Sequence, residues 1–264
     1  MVTAPNFRDK ADLPTGLRTR DLLELLADGR FRSGDALGEV AGVSRAAVWK
    51  LVEQLRAKGL PIEAVKGRGY RLARPVELLD TTAIAAELAA VYPETLPLEV
   101  LFECDSTNRL LLERARMGAE VQALTTEIQS AGRGRWGRNW VAPFGSTLCL
   151  SVLWRFPVLP HGLAGLSLAV ALGVAESLEE EGAAVQLKWP NDLLHDGRKL
   201  GGILVEIVGE VEGPCAVVIG IGLNLEAGES IAAEAGQPVA ALNESVGERA
   251  RARNRLVARV AAAI

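Results

Sequence analysis

Two strand-like runs, Leu193 to His195 and Arg198 to Val205, meet across the dipeptide Asp196-Gly197, and this turn constrains the fold more than any other feature of the chain. Asp-Gly in that setting specifies a two-residue hairpin, because both central residues of the turn need positive φ. An antiparallel hairpin here rules out a clean doubly wound sheet. Upstream the pattern is strand and helix in turn: Leu98 to Glu103 (strand), Thr107 to Met117 (helix), Val121 to Ile128 and Ser146 to Phe156 (strands), His161 to Glu181 (long helix) and Ala184 to Trp189 (strand). Gly201 to Val208 and Ala216 to Leu225 add strands, and helices return after Ser230. The expectation is an α+β domain, a mixed α/β sheet with flanking helices.

A smaller module precedes it. Arg20 to Ala27 is a compact apolar helix with Leu22, Leu23, Leu25 and Leu26, ended by Asp28-Gly29. Ser33 caps a short helix expected to bury Ala36, Leu37 and Val40. Ser44 caps a third, in which Val48, Leu51, Val52 and Leu55 follow the i, i+3, i+4, i+7 pattern. Ile62 to Lys66, Gly67-Arg68-Gly69 and Tyr70 to Leu72 then form a hairpin wing. This is the spacing of a winged helix-turn-helix, with Arg45, Trp49, Lys50 and Arg68 as candidate DNA contacts; the competing reading is a protein-docking winged helix. The expected organisation is a flexible arm over residues 1–16, a winged helix-turn-helix DNA-binding domain over 17–78, and a catalytic domain over 79–264. Asp80 or Thr81 caps the first helix of the latter.

Charge supports that division. Residues 1–74 hold 14 Lys and Arg against 9 Asp and Glu, whereas the remainder holds 15 against 24, so the basic half is N-terminal and suits an anionic partner. Cys104, Cys149 and Cys215 are too widely spaced for a disulfide framework or a Cys-x-x-Cys motif, which favours a reducing cytoplasm. Met1 to Gly16 has no apolar signal core, and Leu163 to Ala175 is too short for a membrane span and reads as a buried helix. No membrane partner is expected.

The chemistry concentrates in Ala131-Gly-Arg-Gly-Arg-Trp-Gly-Arg-Asn-Trp140. Glycine lets backbone amides approach a ligand, and Arg133, Arg135 and Arg138 supply permanently charged planar donors suited to carboxylate and phosphate. Four further segments stand at strand ends. Asp105-Ser-Thr-Asn108 can cap the next helix or hydrogen-bond a polar ligand, and Lys188-Trp-Pro-Asn-Asp192 puts a lysine at the end of an apolar strand. Lys199 to Glu206 and Gly220-Ile-Gly-Leu-Asn224 place glycines where backbone must be approached closely.

Taken in this order, the five segments resemble the biotin protein ligase family, and the winged helix ahead of them resembles its bifunctional members, which also repress biotin operons. The resemblance covers the chain from about residue 20. It implies an ATP-dependent ligase that joins biotin and ATP into biotinyl-5′-AMP and then passes biotin to a lysine of a biotin carboxyl carrier protein. Lys188 and Arg135 are the implied catalytic residues, Lys188 bridging the biotin carboxylate and the α-phosphate. Ser106, Thr107, Asn108, Gln129, Arg133, Gly134, Arg135 and Lys188 are the implied biotin-binding set, with Arg138, Lys199 and Asn224 toward ATP. Magnesium would be held mainly by phosphate oxygens and water, with no protein ligand. Operator DNA is the second implied partner, reached by a homodimer that forms when the adenylate is bound and pairs through the sheet edge near Leu193 to Leu200.

Two departures from the family pattern stand out. Trp136 occupies the place of a common arginine, where it either stacks on adenine or packs the closed loop. The sequence also ends at Val257 to Ile264, within a helix and ahead of the small C-terminal β-barrel that such ligases carry, so the barrel is expected to be absent; if that domain helps to position ATP or the carrier, biotin binding is expected to survive while ligation is weak. Asp192 either caps a turn or assists proton removal from the acceptor lysine. The alternatives to a ligase-repressor are a biotin-sensing DNA-binding regulator without ligation and a lipoate-type ligase.

Overall fold

The computed structural model describes residues 19–92, 94–118, 122–157, 165–209, 214–226 and 229–264. The described residues divide into two compact units, 19–76 and 77–264, and the arm expected over 1–16 lies outside the described residues.

In the first unit, α1 (Thr19–Leu26), α2 (Gly34–Ala41) and α3 (Arg45–Ala57) are followed by the antiparallel pair β1 (Ile62–Val65) and β2 (Gly69–Leu72). Ser33 and Ser44 cap α2 and α3 by accepting from the Ala36 and Ala47 amides at 3.0 and 3.2 Å. Val48, Leu51, Val52 and Leu55 are all buried, each fully buried aliphatic side chain contributing roughly 1.5–3 kcal/mol. They pack in a core with Leu22, Leu23, Leu26 and Leu37. The expectation for α2 needs correction: only Leu37 of the predicted trio is buried, while Ala36 and Val40 face solvent. The inner face of that helix is instead made by Gly34 and Gly38, since a Cβ on Gly38 would sit 2.6 Å from the Val43 carbonyl. Close backbone packing in the helix-turn-helix takes the place of a larger apolar side chain.

The second unit is a seven-stranded sheet in the order β3-β4-β5-β9-β8-β7-β6, where β3 is Leu98–Cys104, β4 Ala123–Gln129, β5 Thr147–Phe156, β6 Gln186–Lys188, β7 Asp192–His195, β8 Arg198–Gly209 and β9 Cys215–Asn224. β3 and β4 are parallel and the other neighbours antiparallel. The helices are α4 (Thr81–Ala89), α5 (Thr107–Arg116), α6 (Leu166–Glu180), α7 (Glu229–Ala235), α8 (Asn243–Val246) and α9 (Arg253–Ala262). The Asp196-Gly197 turn has φ of 49° and 71°, the positive values that the dipeptide was expected to supply.

Strand alternation divides the labour. On β5, Leu148, Leu150 and Val152 enter the main core with α6 and α9, whereas Cys149 and Ser151 turn to the opposite face, on which Leu153 packs with Leu111 and Leu112 of α5. α6 is half buried rather than wholly so: Val170, Ala171, Val174, Ala175 and Leu178 face the sheet, but Leu168 and Leu172 are 40% and 50% exposed. A helix laid on one face of a sheet has only one stripe to bury, so an uninterrupted apolar run need not mean burial all round. The predicted start of that helix at His161 lies outside the described residues. The hairpin near Leu193 to Leu200 is likewise not the sheet edge, because β6 covers it by pairing Gln186 with Leu194 and Lys188 with Asp192.

The start of α9 ties the beginning of this unit to β4. Arg253 donates to Glu127 Oε2 at 2.6 Å and to the Glu77 carbonyl, Glu127 accepts from the Leu79 amide, and Asn254 bonds the backbone at Leu78 and Asp80. Both members of the ion pair are buried, so removing either partner is expected to cost about 3–5 kcal/mol. Among the described residues no helix is long and apolar enough to cross a membrane.

Candidate active site

A cavity of about 520 Å³ opens on the α5 face of the sheet, lined by the start of α5, the ends of β4, β5, β8 and β9, and the segment 129–141. That segment is a small irregular hairpin. Gln129 bridges Ala142, the Trp140 amide donates to the Gly132 carbonyl at 2.8 Å, Arg133 bridges Asn139, and the Gly134 amide donates to the Arg138 carbonyl at 2.7 Å. Its tip, Arg135-Trp136-Gly137, is a tight turn in which Trp136 takes the left-handed conformation, with φ 58° and ψ 33°. Gly132 is required because a Cβ there would lie 2.3 Å from the Trp140 carbonyl.

One end of the cavity is a buried, uncharged network. Ser106 caps α5, and Ser106, Thr107 and Asn108 are all buried. Gln129 Oε1 accepts from the Thr107 amide at 2.8 Å and from its hydroxyl at 3.1 Å, while Gln129 Nε2 donates to Cys149 Sγ at 3.2 Å. The Ser151 hydroxyl lies 2.8 Å from Thr107 Oγ1 and 2.6 Å from Asn108 Oδ1. Asn108 Nδ2 reaches across the sheet to the Leu204 carbonyl at 3.2 Å and Glu206 at 3.0 Å. Gly220 makes this crossing possible, since a Cβ there would lie 2.2 Å from Asn108 Oδ1; a Cβ at Gly222 would meet the Trp140 indole at 2.5 Å. Burial pushes the Cys149 thiol up to about 11, so it remains a neutral neighbour of Gln129 and not a thiolate nucleophile.

The other end is cationic. Lys188 and Arg138 line the cavity, are exposed, and have no partner among the described residues. Arg135 is held by Asn191 Oδ1 at 3.0 Å, an uncharged acceptor that leaves its charge unmatched. Arg133 pairs with Glu206 at 2.9 Å and Lys199 with Asp192 at 2.8 Å. Asp192 therefore has a structural partner, which neither of its two sequence readings anticipated. Asn224 is buried, its amide nitrogen spanning the Lys199 and Ala240 carbonyls while its Oδ1 has no partner. Among the described residues no group of three or more His, Cys, Asp or Glu side chains is placed to hold a metal ion.

Thus Ser106, Thr107, Asn108, Gln129, Arg133, Gly134, Arg135, Arg138, Lys188, Lys199 and Asn224, scattered over the sequence, line a single cavity. Asn108 differs from its predicted role in one respect: both its amide donors and its oxygen are spent within the protein. Trp136 is 86% exposed, with φ 58° and its ring centroid 5.6 Å from Arg135 Cζ. Sequence reasoning overlooked Ser151, Cys149, Asn191 and Glu206, which carry no motif signal apart from strand alternation and, for Asn191 and Glu206, their places inside quoted segments.

In the first unit, Arg45, Trp49 and Lys50 lie on the exposed side of α3, and Arg45 reaches Asp35 at 3.4 Å. The Arg68 guanidinium stacks 4.0 Å from the Phe31 ring centroid, with Arg71 at 4.6 Å from the same centroid.

Comparison with known proteins follows the same division. Residues 102–224 match the biotin/lipoate A/B protein ligase family and residues 18–71 match a helix-turn-helix domain. The chain is 44% identical to the bifunctional ligase/repressor BirA of Salmonella typhimurium over 77% of this chain and 62% of that one. It is 34% identical to the Bacillus subtilis protein of the same name over 78% and 64%. With the biotin--[acetyl-CoA-carboxylase] ligase of Mycobacterium tuberculosis it shares 37% identity over 69% of this chain and 68% of the relative. The chain thus spans somewhat less than two thirds of the bifunctional relatives. The cavity, the order of its segments and the relatives agree, and the chain belongs to the biotin protein ligase family.

Proposed function

We propose that the second unit is an ATP-dependent biotin protein ligase and that the first lets the same chain act as a biotin-responsive repressor. The observation that carries the first half is the polarity of the cavity, a buried neutral hydrogen-bonding end facing an end with unmatched cations. Biotin has that polarity, with a neutral ureido head and a carboxylate tail. Ser106, Thr107 and Gln129 would hold the head, where a site built from hydrogen bonds rejects analogues that lack the matching groups.

At the other end, Lys188 would touch both the biotin carboxylate and the α-phosphate of ATP. A carboxylate oxygen forms a bond to the α-phosphorus while the bond from that phosphorus to pyrophosphate breaks, bringing two anions together. Fixed cations offset this repulsion, and Arg135, Arg138 and Lys188 are available for it because no carboxylate among the described residues pairs with them. Asn224 Oδ1, a buried acceptor without a partner, is suited to an adenine amino group. Magnesium held by the phosphates and water completes the proposal. In the second half-reaction the carrier lysine amine forms an amide with the biotinyl carbon and AMP departs with its oxygen. Asp192 is not assigned as the proton acceptor, since its carboxylate is engaged by Lys199.

For the first unit the proposal is operator binding through α3 and the wing, by a homodimer favoured by the adenylate, in the cytoplasm. Such coupling requires the adenylate to bind the dimer more tightly than the monomer. Binding should weaken with salt at about 0.9 per phosphate contacted on a log-log scale, and a flat salt response would count against it.

The deciding experiment follows adenylate and pyrophosphate formation from biotin and MgATP, then label transfer to a biotin carrier domain in the same tube. Adenylate with transfer supports the ligase. Adenylate without transfer restricts the chain to synthesis of the adenylate, and neither product overturns the reading.

A further inference from the structure

The inner stripe of α3, Val48, Leu51, Val52 and Leu55, is buried, so its core is complete without Trp49. At about 3.6 residues per turn, Ala46 and Trp49 fall between Arg45 and Lys50 on the outward face of the first two turns. Trp49 is 57% exposed and makes no hydrogen bond or ring contact among the described residues. Carboxylates near this face are matched, with Asp35 3.4 Å from Arg45 and Glu53 2.9 Å from Arg56. The face is therefore an apolar strip with a cation on either side. Duplex DNA complements both features at once: phosphates line the groove, and in the major groove thymine alone among the four bases presents a methyl group.

We propose that Trp49, with Ala46 beside it, reads thymine methyl groups in the major groove, so that the bound site carries T·A pairs under α3. This inference rests on the operator-binding reading of the first unit. The major groove, about 12 Å wide, admits a helix, and residues in the first turns of such a helix reach the base edges. Trp49 carries no charge, so it adds nothing to the attraction of phosphates. Its contribution comes from removing a methyl group and its own ring from water. Arg45 and Lys50 hold the helix in register against the backbone, and the apolar strip between them supplies the discrimination.

The test uses the full chain with biotinyl-5′-AMP and a pool of duplexes randomised over a central stretch, from which the tightest-bound sequence is selected. Each thymine of that duplex is then replaced in turn by deoxyuridine, which pairs identically and lacks only the methyl group. For the unsubstituted chain, one or two replacements in each half-site should weaken binding about fourfold each. Trp49→Ala should bind the selected duplex at least about tenfold more weakly, lose its response to those replacements, and keep the salt slope of the unsubstituted chain. Arg68→Ala should do the reverse, lowering the salt slope by about 0.9 and leaving the deoxyuridine response intact. Uniform tolerance of deoxyuridine, or a response that persists in Trp49→Ala, would overturn the inference while leaving operator binding in place. If no duplex is enriched, the operator-binding reading itself falls and takes the inference with it, and the exposed indole belongs to a protein-docking winged helix.

Discussion

The two ends of the cavity are built on opposite principles. At the buried end Thr107, Asn108, Gln129 and Ser151 satisfy one another before any ligand arrives, over distances of 2.6 to 3.1 Å. At the exposed end, among the described residues, Lys188 and Arg138 have no partner and Arg135 has a neutral one, Asn191. The difference teaches where each contribution comes from. Buried polar groups must be paired or they destabilise the fold, so the specificity end is part of the protein's stability. Exposed cations cost the fold little when unpaired, so the catalytic end can hold charge in reserve for the transition state.

The sharpest way to break this comparison is Lys188→Ala. Removing a cation placed for the developing charge should lower adenylate formation about 10²–10³-fold while the melting temperature stays unchanged. A large loss of stability would mean that the two ends are not separable. Gly220→Ala attacks the other end: the added Cβ meets Asn108 Oδ1 at 2.2 Å, so denaturant unfolding should show a loss of about 1–3 kcal/mol, accompanied by loss of biotin binding. Ser151→Ala should be milder, about 1–2 kcal/mol, because it removes one partner each from Thr107 and Asn108; an unchanged midpoint in urea would show that the network does not act as one.

Arg135→Gly is expected to sharpen the picture at the loop tip. It deletes the tether to Asn191 that holds the hairpin across the cavity, so adenylate should escape into solution about tenfold faster with stability preserved. Retention equal to the unsubstituted protein, measured by rapid filtration, would refute this. The smallest effect is expected for Cys149. With its thiol pushed up to about 11 by burial, alkylation at neutral pH should be much slower in the folded chain than in denaturant, and adenylate formation should show no inflection near the ordinary thiol value.

Much of this was legible in the residues. Caps at Ser33, Ser44, Asp80 and Ser106, the heptad-like burial of α3 and the Asp196-Gly197 turn are local, set by hydrogen bonds and dihedrals within a few positions. The motif segments named the cavity's main polar residues. What failed was whatever depends on which face meets which neighbour: Val40 and Ala36 were expected inside and lie outside, α6 has an exposed stripe, and β6 takes the edge position assigned to the hairpin beyond it. Periodicity marks an apolar stripe but cannot say whether another element covers it.

The sequence by itself determined the elements, their order, and the residue types needed at the site, because these follow from local backbone preference and from the chemistry of side chains in short segments. Only the tertiary structure decided the pairings. Arg133 lies 73 positions from Glu206 in the chain and Asn108 lies 43 from Ser151, yet the first two form an ion pair and the second two a hydrogen bond because β4, β5, β9 and β8 are neighbours in the sheet. Which charges are cancelled and which are left for a substrate is fixed by that strand order, and strand order is a property of long-range packing that no local signal carries.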